Sequence, residues 1–132
     1  MPENDPTATV RRMFAAFASG DLDAVLETLH EDSHWIYIGA NPDLTKVEFR
    51  GKAGVRRFFE HILEKYEITA FTPDEWIEQG DAVVVFGSEE GRIRATGAPF
   101  RHEWSQKYVV THNLISRMTE YNIRVEPKGS AD

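Results

Sequence analysis

The chain has 132 residues, which is enough for one domain and too few for two. Hydrophobic residues make up 41%, as in ordinary globular proteins, and the net charge of −7 without a basic stripe argues against nucleic-acid binding. The sequence has no cysteine for disulfide or thiol chemistry and no apolar run near the roughly 20 residues that span a bilayer, so we expect a cytoplasmic protein that binds no membrane.

Three amphipathic helices are predicted in the first half of the chain. Residues 1–6 predict a disordered lead-in, and Thr7 is a suitable N-cap for the first helix. Gly20 ends that helix and Asp21 caps the next, because glycine tolerates a left-handed conformation and aspartate accepts backbone hydrogen bonds. A third helix begins at Gly51. The predicted apolar faces are Val10, Met13, Phe14 and Phe17; Leu22, Val25, Leu26 and Leu29; and Val55, Phe58, Phe59 and Ile62.

Strands account for most of the remaining chain. The main predicted strands are His34–Ile38, Ile68–Glu78, Ala82–Glu90, Phe100–Val110 and Leu114–Ile123, with a short extended piece at 47–49. Thr72-Pro73 predicts a break or bulge in the strand Ile68–Glu78, and Asn41-Pro42-Asp43 marks a loop. We therefore expect one α+β domain over residues 7–126, with three helices packed on a curved, mixed, mostly antiparallel sheet around a conical cavity. Residues 127–132 predict a flexible tail.

Three segments in this order resemble the nuclear transport factor 2-like superfamily, in particular its small SnoaL-like and ketosteroid-isomerase-like members. They are the helix–Gly-Asp–helix stretch Phe14–Trp35, the Arg-Gly–helix stretch Phe49–Ile62 and the final strand Asn113–Ile123. The resemblance implies a cone-shaped fold, a pocket between sheet and helices, and a homodimer formed through the outer face of the sheet.

The resemblance does not extend to the catalytic groups of ketosteroid isomerases. Their general-base aspartate falls near Tyr37, their oxyanion-hole tyrosine near Met13 and their protonated aspartate near Gln106. An aspartate common in SnoaL-like cyclases falls near Ile123. Because none of these groups is kept, the resemblance implies the fold and the pocket more firmly than any one reaction.

The alternation of strand residues predicts which side chains face the pocket. Residues two apart on a strand share a face, and the resemblance directs the faces carrying Tyr37 and Gln106 inward. The predicted catalytic residues are His102 and Tyr37, and the predicted substrate-binding residues are Trp35, Phe58, Trp104, Gln106 and Tyr108. Aromatic area with a few polar tips is the usual composition of a small-molecule site.

Each predicted polar residue has a chemical role and a structural alternative. His102 is the acid–base candidate, because its unperturbed pKa of about 6.5 lies near neutrality; the alternative is a histidine satisfied by a hydrogen-bond network. Tyr37 can donate to a developing oxyanion, or its hydroxyl can simply bind a neighbour in the core. Gln106 can orient a ligand but cannot titrate. Glu89 and Glu90, at a strand end, are interpreted as a solvated pair.

Two functional hypotheses follow from these residues. The first is a cofactor-free isomerase, cyclase or dehydratase that uses general acid–base chemistry on a small apolar organic molecule. The second is a non-catalytic ligand-binding or dimeric assembly domain of the same fold, which the missing family carboxylates favour. Neither hypothesis includes a metal, because no cluster of histidine and carboxylate residues has metal-ligand spacing.

Overall fold

A computed structural model describes residues 3–39 and 46–125 of the chain. The helices are α1 (Pro6–Ala18), α2 (Leu22–Glu27) and α3 (Gly51–Lys65). The strands are β1 (Leu29–Ile38), β2 (Lys46–Arg50), β3 (Tyr66–Gln79), β4 (Ala82–Ile93), β5 (Pro99–Thr111) and β6 (Leu114–Arg124). The predicted turn at 41–43 and the predicted tail at 127–132 lie outside the described residues. None of these three helices combines the length and the apolar character that a membrane span requires.

Helix α1 begins earlier than the sequence pattern predicted. Its N-cap is Asp5 and not Thr7, because the Asp5 side chain accepts a hydrogen bond from the backbone N–H of Ala8 at 3.1 Å. Pro6 then occupies the first helical position, where its fixed φ suits a helix and its missing N–H costs nothing. Asn4 also donates to a backbone carbonyl of β5 at 2.7 Å. Residues 3–6 of the predicted disordered lead-in are therefore ordered, and residues 1 and 2 lie outside the described part of the chain.

The junction between the first two helices agrees with the prediction. Gly20 has a φ of +75°, which glycine adopts without steric cost, and Asp21 caps α2 by accepting from Ala24 at 3.0 Å. Helix α2 is shorter than predicted, however, and Leu29 belongs to β1, where it pairs with Ile115. Because β1 starts at Leu29, it is twice the length of the strand predicted from its aromatic residues.

The six strands form one sheet in the order β2-β1-β6-β5-β4-β3. Only the β1–β6 pair is parallel, so the sheet is mixed and mostly antiparallel, as predicted. The predicted irregularity near Pro73 is a register shift between residues 73 and 75 inside β3, which otherwise continues as one strand. The sheet register places Tyr37, Glu120 and Gln106 side by side on β1, β6 and β5.

The helices pack on one face of the sheet and bury an aromatic-rich core. The largest fully buried side chains of that core include Trp35, Tyr108, Met13, Leu29, Ile115 and Met118. The opposite face of the sheet carries exposed apolar side chains, among them Phe86, Tyr121 and Ile123. The architecture is the predicted α+β arrangement, and it encloses the candidate site between the helices and the inner sheet face.

Candidate functional site

A narrow cavity lies between the helices and the inner face of the sheet, with a water-accessible volume of about 40 Å³. The helices line it with apolar side chains only: Met13, Phe14 and Phe17 from α1, and Phe58, Phe59 and Ile62 from α3. The strands supply its polar groups: Tyr37, Tyr66, Glu89, Gln106, Tyr108, Glu120 and Asn122. One wall of the cavity is therefore apolar, and the other carries all of its hydrogen-bonding and titratable groups.

A wider vestibule adjoins this inner cavity. It has a water-accessible volume of about 510 Å³ and shares Tyr37, Phe58, Ile62 and Tyr66 with the inner cavity. Small-molecule sites typically have about 300–1,000 Å³. The vestibule therefore has room for the body of a small organic ligand, whereas the inner cavity admits only its leading end.

Glu120 is the centre of a buried hydrogen-bond network on the polar wall. Gln106 donates through Nε2 to Oε1 of Glu120 at 3.0 Å, and Asn122 donates through Nδ2 to Oε2 at 2.9 Å. The hydroxyl of Tyr108 donates to Oε1 of Gln106 at 2.6 Å, which fixes the direction of the Gln106 amide. Only 5% of Glu120 is exposed. The carboxyl group is thus held in one orientation by amides of two neighbouring strands.

Burial sets the proton affinity of this carboxyl group. It raises the pKa of Glu120 from an ordinary 4.5 to about 7, and the negative charge of Glu89 acts in the same direction. The hydrogen bonds from Asn122 and Gln106 oppose the rise without cancelling it. Burial also raises the pKa of Tyr108 well above its usual value, so that its hydroxyl stays a donor. Glu120 therefore exchanges a proton near neutral pH, as a general acid or base must.

Asn122 offers a further polar atom to the cavity. Its Oδ1 is buried and has no hydrogen-bond partner among the described residues. A buried acceptor without a partner costs roughly 1–3 kcal/mol. A donor of a bound molecule, or the proton of neutral Glu120 after rotation of the amide, would satisfy it.

Glu89 forms a second polar cluster in the same cavity. Its Oε2 lies 2.9 Å from Nδ1 of His102, and only 12% of its side chain is exposed. The His102 ring is enclosed by Tyr66 and Phe100, with ring centroids 5.4 and 4.6 Å away. Burial and the charge of Glu89 raise the pKa of Tyr66. The interpretation of Glu89 as solvated is therefore wrong, although its neighbour Glu90 is exposed.

The structure brings five of the seven predicted site residues to the cavity wall. They are Trp35, Tyr37, Phe58, Gln106 and Tyr108. His102 and Trp104 point inward as predicted but do not line the cavity. Glu89, which lines the cavity, is hydrogen-bonded to His102, and Phe71, which also lines it, stacks on Trp104 at a centroid distance of 4.9 Å. Their direct contact with a ligand stays a prediction.

The position of Tyr37 depends on a glycine two residues later. A Cβ at Gly39 would lie 2.0 Å from the Tyr37 ring and 2.1 Å from its hydroxyl oxygen, which is far inside van der Waals contact. Gly39 therefore leaves the space in which the phenol ring lies. Because Tyr37 lines both the inner cavity and the vestibule, this glycine helps to define where the two meet.

Sequence reasoning missed Glu120, Glu89 and Asn122 as site residues. Strand alternation could have identified two of them, because Glu120 and Asn122 lie on the same face of β6 as buried Met118. Ile123, the position where the resemblance places the aspartate of SnoaL-like cyclases, lies on the outer face. The pairing of Glu89 with His102 follows from the β4–β5 register and not from any local pattern. Within residues 3–39 and 46–125, no three histidine or carboxylate side chains are placed to share a metal ion.

Comparisons with known proteins agree with this fold. A nuclear transport factor 2-like protein from Burkholderia xenovorans LB400 is 28% identical, with 92% of each chain covered and a TM-score of 0.77. TerC, crystallised with polyporic acid, is 24% identical, with 87% of this chain and 88% of that chain covered and a TM-score of 0.72. A Mycobacterium tuberculosis protein in complex with estradiol-17β-hemisuccinate is 18% identical, with 89% and 93% covered and a TM-score of 0.73. A search of curated proteins finds no match.

The fold and its enclosed cavity define a nuclear transport factor 2-like protein. The sequence profile of the SnoaL-like domain matches residues 10–118, which is most of the chain. The chain therefore belongs to the SnoaL-like family, as its three segments indicated.

Proposed function

We propose that this protein is a cofactor-independent enzyme that moves protons on a small, largely apolar organic molecule, in a reaction of the isomerase, cyclase or dehydratase type. One observation carries the proposal: a carboxyl group with a pKa of about 7 lies at the polar wall of a cavity whose opposite wall is apolar. A group that titrates near the working pH is an efficient general acid or base.

Glu120 is the proton-transferring residue in this proposal. Gln106 and Asn122 orient its carboxyl group through the two amide hydrogen bonds. Tyr37 pairs with Glu120 in the β1–β6 register, and its phenol borders both the inner cavity and the vestibule. Tyr37 is therefore proposed to orient a substrate oxygen beside Glu120, the role for which the sequence suggested it.

The dimensions of the two spaces limit the shape of the substrate. The aromatic body of the molecule would occupy the vestibule beside Phe49 and Phe58, and its reacting end would enter the inner cavity. Two structural neighbours were crystallised with organic molecules, polyporic acid in TerC and an estradiol ester in the mycobacterial protein. Those ligands support a small organic substrate here without identifying it.

Deuterium exchange into a ketone tests the proposal without knowledge of the natural substrate. The probe is 2-tetralone, a small aromatic ketone whose acidic C–H groups are followed by proton NMR in D₂O. We expect Glu120→Gln to lower the protein-catalysed exchange rate by about 100-fold. Glu67→Gln, at an exposed position on β3, is the matched control and should retain the rate. Equal rates in the wild type and Glu120→Gln would refute the assignment.

Binding without catalysis is the second candidate function. The observation that favours it is the inner cavity of only about 40 Å³, which the protein's own aromatic side chains nearly fill. In that case 2-tetralone would shift the NMR signals of vestibule residues such as Phe58, but its exchange rate would match that of buffer alone.

We also propose that the outer face of the sheet forms a homodimer. Phe86 and Tyr121 both flank Ser105 in the strand register, so they form an apolar patch across three strands. Cationic side chains lie on one side of this patch (Lys46, Lys107 and Arg117). The other side carries the acidic Asp74 and Glu103 together with Arg101, which lies 3.9 Å from Glu103. A two-fold axis through the patch would set opposite charges against each other.

Sedimentation analysis tests the dimer. Tyr121→Glu places a charge in the apolar patch and should convert a dimer to a monomer at micromolar concentration. Glu67→Gln is the control that should leave the mass unchanged. A wild-type protein that sediments as a monomer would contradict this proposal and leave the enzymatic one intact.

A further inference from the structure

The inner cavity holds two carboxyl groups whose surroundings differ. Glu120 is buried between two amide donors, which are neutral. Glu89 is bound by the ring of His102, and its charge also acts on Tyr66 and on Glu120. An ionised carboxylate only accepts hydrogen bonds, so Nδ1 of His102 carries the hydrogen in this contact. Two carboxyl groups in unlike environments commonly divide the work of acid and base.

We propose that Glu89 is a second catalytic residue, which takes a proton from the substrate while Glu120 gives one, and that His102 is a positioning residue for Glu89. This inference rests on the proposed proton-transfer function and deepens it. It also changes the role of His102, which the sequence suggested as the proton-transferring group itself. The histidine acts through the carboxylate that it binds and that lines the cavity.

The packing around His102 suits a positioning role. The residue is 2% exposed, and its ring is held between Phe100 and Tyr66. A ring fixed in this way presents its Nδ1 hydrogen in one direction only. Glu89 is directly opposite His102 in the β4–β5 register, so both side chains leave the sheet on its inner face. The carboxylate is thus aimed at the cavity by backbone pairing and by its hydrogen bond together.

The proton balance of this step closes without a cofactor. In a carbonyl substrate, a C–H bond next to the carbonyl breaks and its proton passes to Glu89. The electron pair moves into the new C=C bond, and the proton of Glu120 passes to the carbonyl oxygen. The π electrons of the C=O bond form the new O–H bond, which gives an enol. In the return step Glu89 gives a proton to the same or another carbon, the enol O–H proton returns to Glu120 as the C=O bond re-forms, and both carboxyl groups are restored. In D₂O the returning atom is deuterium, which is what the 2-tetralone measurement detects.

Several titratable or charged groups surround the two carboxyl groups and affect any pH dependence of the rate. Around the inner cavity they are Tyr37 from β1, Tyr66 from β3, His102 and Tyr108 from β5, and Arg124 from β6. The vestibule adds Arg57, Glu60, His61, Glu64 and Lys65 from α3. Variants at the two carboxyls are therefore needed to assign any titration seen in the rate.

Exchange of 2-tetralone by carboxyl variants tests the role of Glu89. We expect Glu89→Gln to lower kcat/KM by about 100-fold. Glu90→Gln is a closely matched control, because it changes the next residue of the same strand on the exposed face, and it should keep the wild-type rate. If Glu89→Gln exchanges as fast as Glu90→Gln while Glu120→Gln is slow, the inference fails and the proposed function stands. If both cavity variants exchange at the wild-type rate, both proposals fail.

The pH profile separates the acid from the base. With Glu120 as the acid, the wild-type kcat/KM falls as the pH rises through about 7 and this proton is lost. In Glu120→Gln that fall disappears. A wild-type rate that rises through the same range would make Glu120 the base and would overturn the assignment of Glu89.

Two substitutions test the positioning role of His102. His102→Gln keeps a hydrogen-bond donor for Glu89, whereas His102→Leu removes it. We expect kcat to fall at least tenfold in the leucine variant with little change in KM, and the glutamine variant to recover most of the loss. Equal kcat in the two variants, both folded by circular dichroism, would show that the histidine only packs.

Discussion

The raised pKa of Glu120 makes a quantitative prediction about stability. A carboxyl group whose pKa is higher in the folded state than in the unfolded chain stabilises the fold less as the pH rises, because ionisation in the buried site is unfavourable. Each pKa unit corresponds to about 1.4 kcal/mol. A rise of the Glu120 pKa from 4.5 to about 7 therefore lowers the free energy of unfolding of the wild type by about 3 kcal/mol above neutrality. At about pH 5 it lowers it by only a small part of that amount.

Glu120→Gln removes this cost while keeping the shape of the side chain. Its amide oxygen can still accept from Gln106. After rotation of the Asn122 amide, the NH₂ group of the new side chain can donate to Oδ1 of Asn122, which has no partner among the described residues. We therefore expect the variant to match the wild type near pH 5. Between about pH 5 and about pH 8, the free energy of unfolding of the variant should rise relative to that of the wild type by about 2–3 kcal/mol.

Urea unfolding at the two pH values, followed by tryptophan fluorescence, measures the difference. Glu67→Gln is the control for the loss of one negative charge. It should change the free energy of unfolding equally at both pH values, because the Glu67 side chain is exposed. Carbon-13 NMR of the Glu120 carboxyl gives the pKa directly. A midpoint near 4.5, or a stability difference that does not change with pH, would refute both the buried-carboxyl reasoning and the function built on it.

Two further predictions concern packing at the cavity. Gly39→Ala forces the Tyr37 ring from its position, so it should destabilise the protein by about 1–3 kcal/mol and slow 2-tetralone exchange. An unchanged exchange rate would show that the position of this ring does not matter for the reaction. Trp35→Phe breaks a 3.0 Å hydrogen bond from Nε1 to Ser33, whereas Nε1 of buried Trp104 has no partner among the described residues. In urea unfolding, Trp104→Phe should therefore cost about 1 kcal/mol less than Trp35→Phe, and the reverse order would contradict this reading.

The fold was predictable because its signals are local. The glycine and aspartate at 20 and 21, the alternation along β5 and the proline bulge in β3 each act within a few residues, and each is present in the structure. The errors were also local. The N-cap is Asp5 and not the predicted Thr7, because Pro6 is well suited to the first position of a helix. Leu29 changed from helix to strand because pairing with β6 outweighs helical periodicity over a single turn.

The site was less predictable because its contacts join distant parts of the chain. Gln106 and Glu120 meet only when β5 and β6 pair in one register, and Tyr37 reaches the same row through the parallel pairing of β1 with β6. A shift of one residue in either pairing would turn these side chains to the opposite face. Alternation identifies which residues of a strand share a face, but it does not identify their neighbours on the next strand.

The division of the cavity into an apolar helical wall and a polar strand wall explains why Glu120 keeps its proton near neutrality, an effect that the negative charge of Glu89 reinforces. The aromatic side chains of α1 and α3 exclude water from Glu120, and the amides of β5 and β6 supply hydrogen bonds that orient the carboxyl without adding a positive charge. An arginine in place of Gln106 would stabilise the ionised form and lower the pKa of Glu120. The neutral amide at position 106 is therefore as important to the proposed chemistry as the acid that it holds.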